Sequence, residues 1–180
     1  MNKYEEGMAI LEKRFGNNTD NKISLATIAL ESTVDGKSRP VVREVDAYYE
    51  DGAFYVVTWA KSNKMQQIAQ NNEVSIALSV DSETGSTWFT ANGIGENLGW
   101  ALDEKNAELR TKLRSVFAMW YDMANNENDQ NCCYLAIRFT SGVININHFG
   151  ELFHMDFVNK TVSMGGRAHE NAVTDDRKEV

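Results

Sequence analysis

Two hydrophobic periods alternate along this chain. Tyr4, Met8, Leu11 and Phe15 form one apolar stripe on an otherwise charged segment, which predicts an amphipathic helix closed by Gly16, Asn17 and Asn18. Strand-like runs follow at Ile23 to Glu31, Pro40 to Tyr49 and Ala53 to Thr58. The loop around Asp35-Gly36 and the hairpin signal Asp51-Gly52 separate them. Val74 to Val80 and Thr87 to Ile94 read as further strands. Tyr134 to Thr140, Val143 to Phe149 and Leu152 to Phe157 read as a meander turned at Ser141-Gly142 and Gly150. The only proline, Pro40, stands at a strand entrance, where a missing N–H is tolerated.

Two helices interrupt the strands. A short one is expected to start from Ser62 as N-cap, with Met65, Ile68 and Ala69 on its buried side. A longer one carries Leu109, Leu113, Val116, Phe117 and Trp120 as a core-facing stripe. Neither an internal repeat nor a linker breaks residues 1–180, so one domain is expected, with its core at about 5–157 and a C-terminal strand and polar tail over 158–180. Antiparallel strands with peripheral helices predict a small, mainly β barrel, not a βαβ layer fold.

Composition narrows the function classes. The chain is 42% hydrophobic and 24% charged, which is ordinary for a globular domain and too apolar for disorder. A net charge of −8 argues against binding a nucleic-acid backbone, while leaving room for a small anion held by local cations. No apolar run is long enough to span a membrane. The charged N-terminus does not read as a secretory signal, so a cytoplasmic location is expected. Cys132 and Cys133 are adjacent and read as small half-buried residues in a reducing compartment. With three histidines and no C-x-x-C, no metal site is expected.

Several motifs give little. Gly93-Ile-Gly95-Glu-Asn-Leu-Gly99 is one residue too long for a dinucleotide fingerprint and reads as a glycine-rich turn after a strand. Arg167-Ala-His169 lies in the polar tail and reads as solvated. The informative stretch is residues 39–78. Arg43 falls mid-strand, where a long cation needs an anion or a barrel rim. The next strand ends in Thr58 and runs through Trp59 and Lys61 to Ser62-Asn63-Lys64 at the start of a helix. Free backbone N–H groups, a hydroxyl and lysines at a helix N-terminus make a compact phosphate site, and Arg43 across the hairpin could close it with a fork of donors. The alternative is a capped helix with solvated lysines.

These residues resemble the FMN-binding split β-barrel superfamily, which includes pyridoxamine 5′-phosphate oxidase and general-stress-type relatives. The matching elements are Arg43, Asp51-Gly52, Thr58, Ser62-Asn63-Lys64 and Asn72-Glu-Val74-Ser-Ile76. The resemblance implies a pyridoxamine 5′-phosphate oxidase-like split barrel whose Arg43, Ser62 and Lys64 hold the phosphate of FMN. The backbone of Glu44, Val45 and Asp46 would run along the isoalloxazine edge, Thr58 and Trp59 would line the ring or ribityl side, and Trp88 would stand where oxidase relatives reach the flavin from a second subunit. Trp88, Asn63 and Asp46 depart from the residues usual in the oxidases.

The resemblance further implies a homodimer with flavin at the subunit interface, acting on a small-molecule substrate. A dimer is also expected from Trp59, Trp88, Phe89, Trp100, Phe117 and Trp120, more large apolar groups than one barrel readily buries. The implied activity is FMN-dependent electron transfer from a nicotinamide or similar donor to a small acceptor. The true oxidase is not favoured, because the segments flanking its Arg-x-His are missing around Arg167 and His169. The other reading is a non-catalytic flavin, haem or deazaflavin binder, a carrier or stress sensor.

Overall fold

The computed structural model describes residues 2–30, 36–80, 87–146 and 151–166. Helix α1 spans Lys3–Phe15 and opens with a capping box between Asn2 and Glu5. Leu11 and Phe15 are buried and Tyr4 and Met8 pack against the core, as the stripe predicts. Strands β1 (Asn21–Ala29), β2 (Arg39–Glu50) and β3 (Ala53–Trp59) follow, then α2 (Asn63–Gln70), β4 (Glu73–Val80) and β5 (Thr87–Trp100). After a short 3-10 turn come α3 (Ala107–Val116), α4 (Tyr121–Ala124), β6 (Cys132–Asn145), β7 (Glu151–Asp156) and β8 (Thr161–Gly166).

All strand pairs are antiparallel, in the order β3-β2-β1-β4-β5-β6-β7-β8. An additional pairing of β3 with β6 closes the first six into a barrel, leaving β7 and β8 as an extension. The Asp51-Gly52 hairpin forms as predicted, with φ of 43° and 74° at its two central residues; the second is the position only glycine adopts freely.

One apolar cluster fills the barrel, among it Phe15, Ile23, Leu25, Phe54, Phe89, Leu135 and Phe153. A second, with Tyr48, Leu113, Phe117, Tyr121, Cys132 and Tyr134, lies between the barrel wall and α3 and α4.

Several local expectations are corrected. The meander turn at Ser141-Gly142 does not exist, because β6 runs straight through and pairs with β5 on one side and β7 on the other. Gly142 is there for space: a Cβ on it would lie 2.8 Å from the Phe89 ring and 2.9 Å from the Thr90 carbonyl. Gly93, Gly95 and Gly99 are likewise strand residues of a β5 that continues to Trp100, with irregularities at Asn92/Gly93 and Asn97/Gly99. The predicted long helix breaks at Phe117, whose carbonyl accepts from both Trp120 and Tyr121 N–H groups. Ala69 is exposed, and the buried side of α2 is Met65 and Ile68.

The large aromatics are mostly satisfied within one chain. Phe89 and Phe117 are buried, Trp100 donates to the Glu127 carbonyl and Trp120 donates to Asp20, so only Trp59 of that set is exposed, at 41%. Of the six aromatics expected to need a second copy, one therefore stays exposed in the single chain. The expectations for Glu31, Asp35, Phe149, Gly150, Arg167 and His169 fall outside the described residues. Among the described residues, no helix is long and apolar enough to cross a membrane.

Candidate functional site

The site begins with a divergence of two strands. β2 and β3 pair only from Tyr48↔Tyr55 to Glu50↔Ala53, next to their hairpin. Beyond that, β3 stays paired only with β6, through to Thr58↔Cys133 and Trp59↔Cys132, while β2 stays with β1. Arg43, Glu44, Val45 and Asp46 thus pair through Leu25, Ser24, Ile23 and Lys22 on one side only. Their other edge carries no ladder partner among the described strands. An open strand edge presents backbone donors and acceptors to whatever lies beside it.

Side chains alternate along that edge. Val45 packs against the barrel core and Glu44 is exposed. Asp46 forms an ion pair with Lys22, its register partner on β1. Arg43 is half-buried. Its Nη1 donates to Thr27 Oγ1 at 2.5 Å and its Nη2 to Gln67 Oε1 at 2.8 Å, tying β2 to β1 and α2. Thr27 Oγ1 in turn donates to Gln67 Oε1 at 2.5 Å. Burial pushes the Arg43 pKa below its ordinary value, and among the described residues no carboxylate offsets its charge.

The opposite wall comes from the end of β3 and the start of α2. Thr58 is buried, Trp59 is exposed, and Ser62 occupies the N-cap position. Ser62 does not cap: its hydroxyl makes no bond to the helix and is a buried oxygen without a partner. Such a group costs about 1–3 kcal/mol when left unpaired. Lys64 is half-buried, and its pKa is lowered first by desolvation and then by the Arg43 charge. The Cys133 thiol, raised to about 11 by burial, is close enough for a thiolate there to favour the Lys64 ammonium. Two mutually repelling cations and an idle hydroxyl thus share one locality with the N-terminus of a helix. An anion beside Arg43 and Lys64 would relieve their repulsion.

A groove of about 730 Å³ touches Met65 and Ile68 on α2, and its lining includes none of Arg43, Ser62 and Lys64. Trp88 lies apart, half-buried on β5 between Ser79 and Asn145, and no described contact joins it to Arg43 or Lys64.

No protein-family profile and no curated protein matches this sequence. Solved structures do. A haem-binding protein from Mycobacterium smegmatis gives a TM-score of 0.63 at 17% identity, over 84% of this chain and 59% of that one. An FAD-binding protein from Mesorhizobium loti gives 0.54 at 17% identity, over 68% of this chain and 82% of that one. General Stress Protein 26 from Bacillus anthracis gives 0.54 at 14% identity, over 84% of this chain and 98% of that one. With the closed six-strand ring, these place the architecture. The chain has a pyridoxamine 5′-phosphate oxidase-like split β-barrel fold. The split barrel spans little more than half of the haem-binding chain it matches.

Within the split barrel, the predicted residues Arg43 and Lys64 come within electrostatic reach of each other, Ser62 stands two residues before Lys64 at the N-cap of α2, and Thr58 pairs with Cys133 beside Lys64. Glu44, Val45 and Asp46 form the open edge. Thr27 and Gln67 are the partners that sequence reading missed. Thr27 carried a signal, for it puts a hydroxyl on the inward phase of β1 directly after the apolar Ile23 and Leu25. Gln67, lying between the buried Met65 and Ile68, carried only a weak one.

Proposed function

We propose that this protein is an FMN-binding flavoprotein, with the cofactor phosphate held by Arg43, Ser62 and Lys64 and the flavin ring against the open edge of Glu44, Val45 and Asp46. One observation carries the reading. Among the described residues, Arg43 and Lys64 are partly desolvated cations with no carboxylate paired to them, and the Ser62 hydroxyl, two residues before Lys64, is buried without a partner. A dianionic phosphate supplies the missing charge and acceptors at once. That structural neighbours include an FAD-binding and a haem-binding protein supports a barrel that hosts a redox cofactor.

Bound FMN would supply redox chemistry, taking electrons from a nicotinamide or similar donor and passing them to a small acceptor. The chain's own part would be to orient the ring and exclude water. Thr58 would line the ring or ribityl side from its buried position, and exposed Trp59 would cover it. A homodimer accords with this arrangement, since a second copy would close the open edge and bring its Trp88 to the flavin.

The test is direct. Purified protein is titrated with FMN and with riboflavin, followed by flavin fluorescence, and its mass is measured by sedimentation. The reading predicts a yellow dimer that prefers FMN and is bleached anaerobically by NADPH or NADH. Equal affinity for the two flavins removes the phosphate site. A Soret band on adding haem, with no uptake of FMN, turns the assignment to haem binding.

A further inference from the structure

We infer that Gln67, supported by Thr27, is a positioning residue that sets the preference of this site for a phosphorylated flavin; the inference rests on the phosphate-binding reading above. A guanidinium has five N–H donors and no acceptor, so a buried arginine is normally fixed by a carboxylate. Here the fixing acceptors are both neutral, Thr27 Oγ1 at 2.5 Å and Gln67 Oε1 at 2.8 Å.

The three side chains close on one another. Thr27 is 1% exposed, accepts from Arg43 and donates to Gln67. Gln67 Oε1 takes both donors, so the amide turns its oxygen inward. Met65 and Ile68 anchor α2 in the core on either side of Gln67 in sequence, which limits how far the amide can swing. Arg43 is therefore held in place without being neutralised. Its remaining N–H groups and its whole charge stay available beside Lys64, a neighbour that raises the demand for an anion. A carboxylate at position 67 would hold the guanidinium equally well and cancel the charge that phosphate needs.

The experiment replaces only the acceptor. In Gln67→Glu an internal ion pair competes with the phosphate, so FMN affinity should fall about tenfold while riboflavin changes by less than about twofold. The apo form of the same variant should unfold at a higher temperature than the parent, because Arg43 gains a partner. Weaker FMN binding with greater apo stability is a combination a merely structural role would not produce. In Gln67→Met, where the acceptor is lost with little change in volume, the ratio of FMN to riboflavin affinity should fall several-fold.

Both variants keeping the parental ratio would overturn the inference. So would both flavins weakening in parallel with a lower unfolding temperature. If Gln67→Glu does not fold, Gln67→Met decides by the same ratio. A parent that binds FMN and riboflavin equally well would overturn the phosphate reading itself, and the two failures are thereby told apart.

Discussion

The guanidinium of Arg43 helps to push the ammonium of Lys64 below its ordinary pKa, on top of the larger effect of burial. The sign of the consequence is fixed. The ammonium is the form that donates to phosphate, so FMN affinity should decline as pH rises toward the lowered Lys64 pKa, earlier than an ordinary lysine at 10.5 would dictate. Riboflavin affinity should stay flat over the same range. Lys64→Arg should abolish the alkaline decline, because arginine keeps its charge there. Fluorescence titrations across pH check all three statements.

Removal of the cations gives a second prediction. Charge-assisted hydrogen bonds contribute roughly 1.5–3 kcal/mol each, so Arg43→Ala and Lys64→Ala should weaken FMN about ten- to a hundredfold. Riboflavin should respond little to either. Lys61 is exposed one residue before Ser62, and Lys61→Ala should cost less than either partner. A uniform loss of both flavins in the two site variants would signal damage to the fold instead.

The strand and helix content was legible where period and turn chemistry agreed. The α1 stripe, the Asp51-Gly52 hairpin and the start of α2 at Ser62 all carry local signals that tertiary contacts then reinforce. The failures share a cause, for glycine is ambiguous in one dimension. Gly142 and Gly93 look like turn residues, but each is glycine because a neighbouring strand passes too close for a side chain. The site was legible as a pair of cations and a serine. Its hidden half, Arg43 held by Thr27 and Gln67, joins residues 24 and 40 positions apart in sequence, and only the pairing of β2 with β1 and the packing of α2 on β1 bring them together. The idle hydroxyl of Ser62 was hidden too, since the sequence predicts a cap.

Those close approaches set an order of stabilities. A Cβ at Gly93 would meet the Arg138 carbonyl oxygen at 2.4 Å, a backbone atom of the facing strand. At Gly95 the first atom met is Ile68 Cγ2, at 3.1 Å, the branch of a side chain on α2. Backbone cannot yield without breaking the β5–β6 ladder, whereas Ile68 can shift by a few tenths of an ångström. Overpacking costs about 1–3 kcal/mol, and Gly93→Ala should lie at or beyond the upper end while Gly95→Ala lies near the lower. Urea unfolding of the two variants tests the order. Equal losses would show that β5 adjusts as readily as α2.

The last prediction concerns the second cluster, under α3 and α4. The hydroxyls of Tyr121 and Tyr134 lie 2.6 Å apart, and Tyr121 donates to Glu127 Oε1 at 2.9 Å. Tyr121 spends its only proton on the carboxylate, so Tyr134 must be the donor between the two. Tyr134 is fully buried, at 0% exposure, and no other partner for its hydroxyl is found among the described residues. The two Phe substitutions are therefore not equivalent. Tyr121→Phe strands the Tyr134 hydroxyl in an apolar cluster and should destabilise by about 1–3 kcal/mol. Tyr134→Phe removes the buried hydroxyl itself and leaves Tyr121 bonded to Glu127, so it should cost less. Tyr121→Phe also takes one donor from Glu127, which retains Arg114, 3.0 Å away in the parent. The double variant should then be no less stable than Tyr121→Phe alone, because nothing polar is left stranded at position 134. Urea unfolding of the four proteins measures this coupling, and simple additivity of the two losses would show that water already serves the Tyr134 hydroxyl.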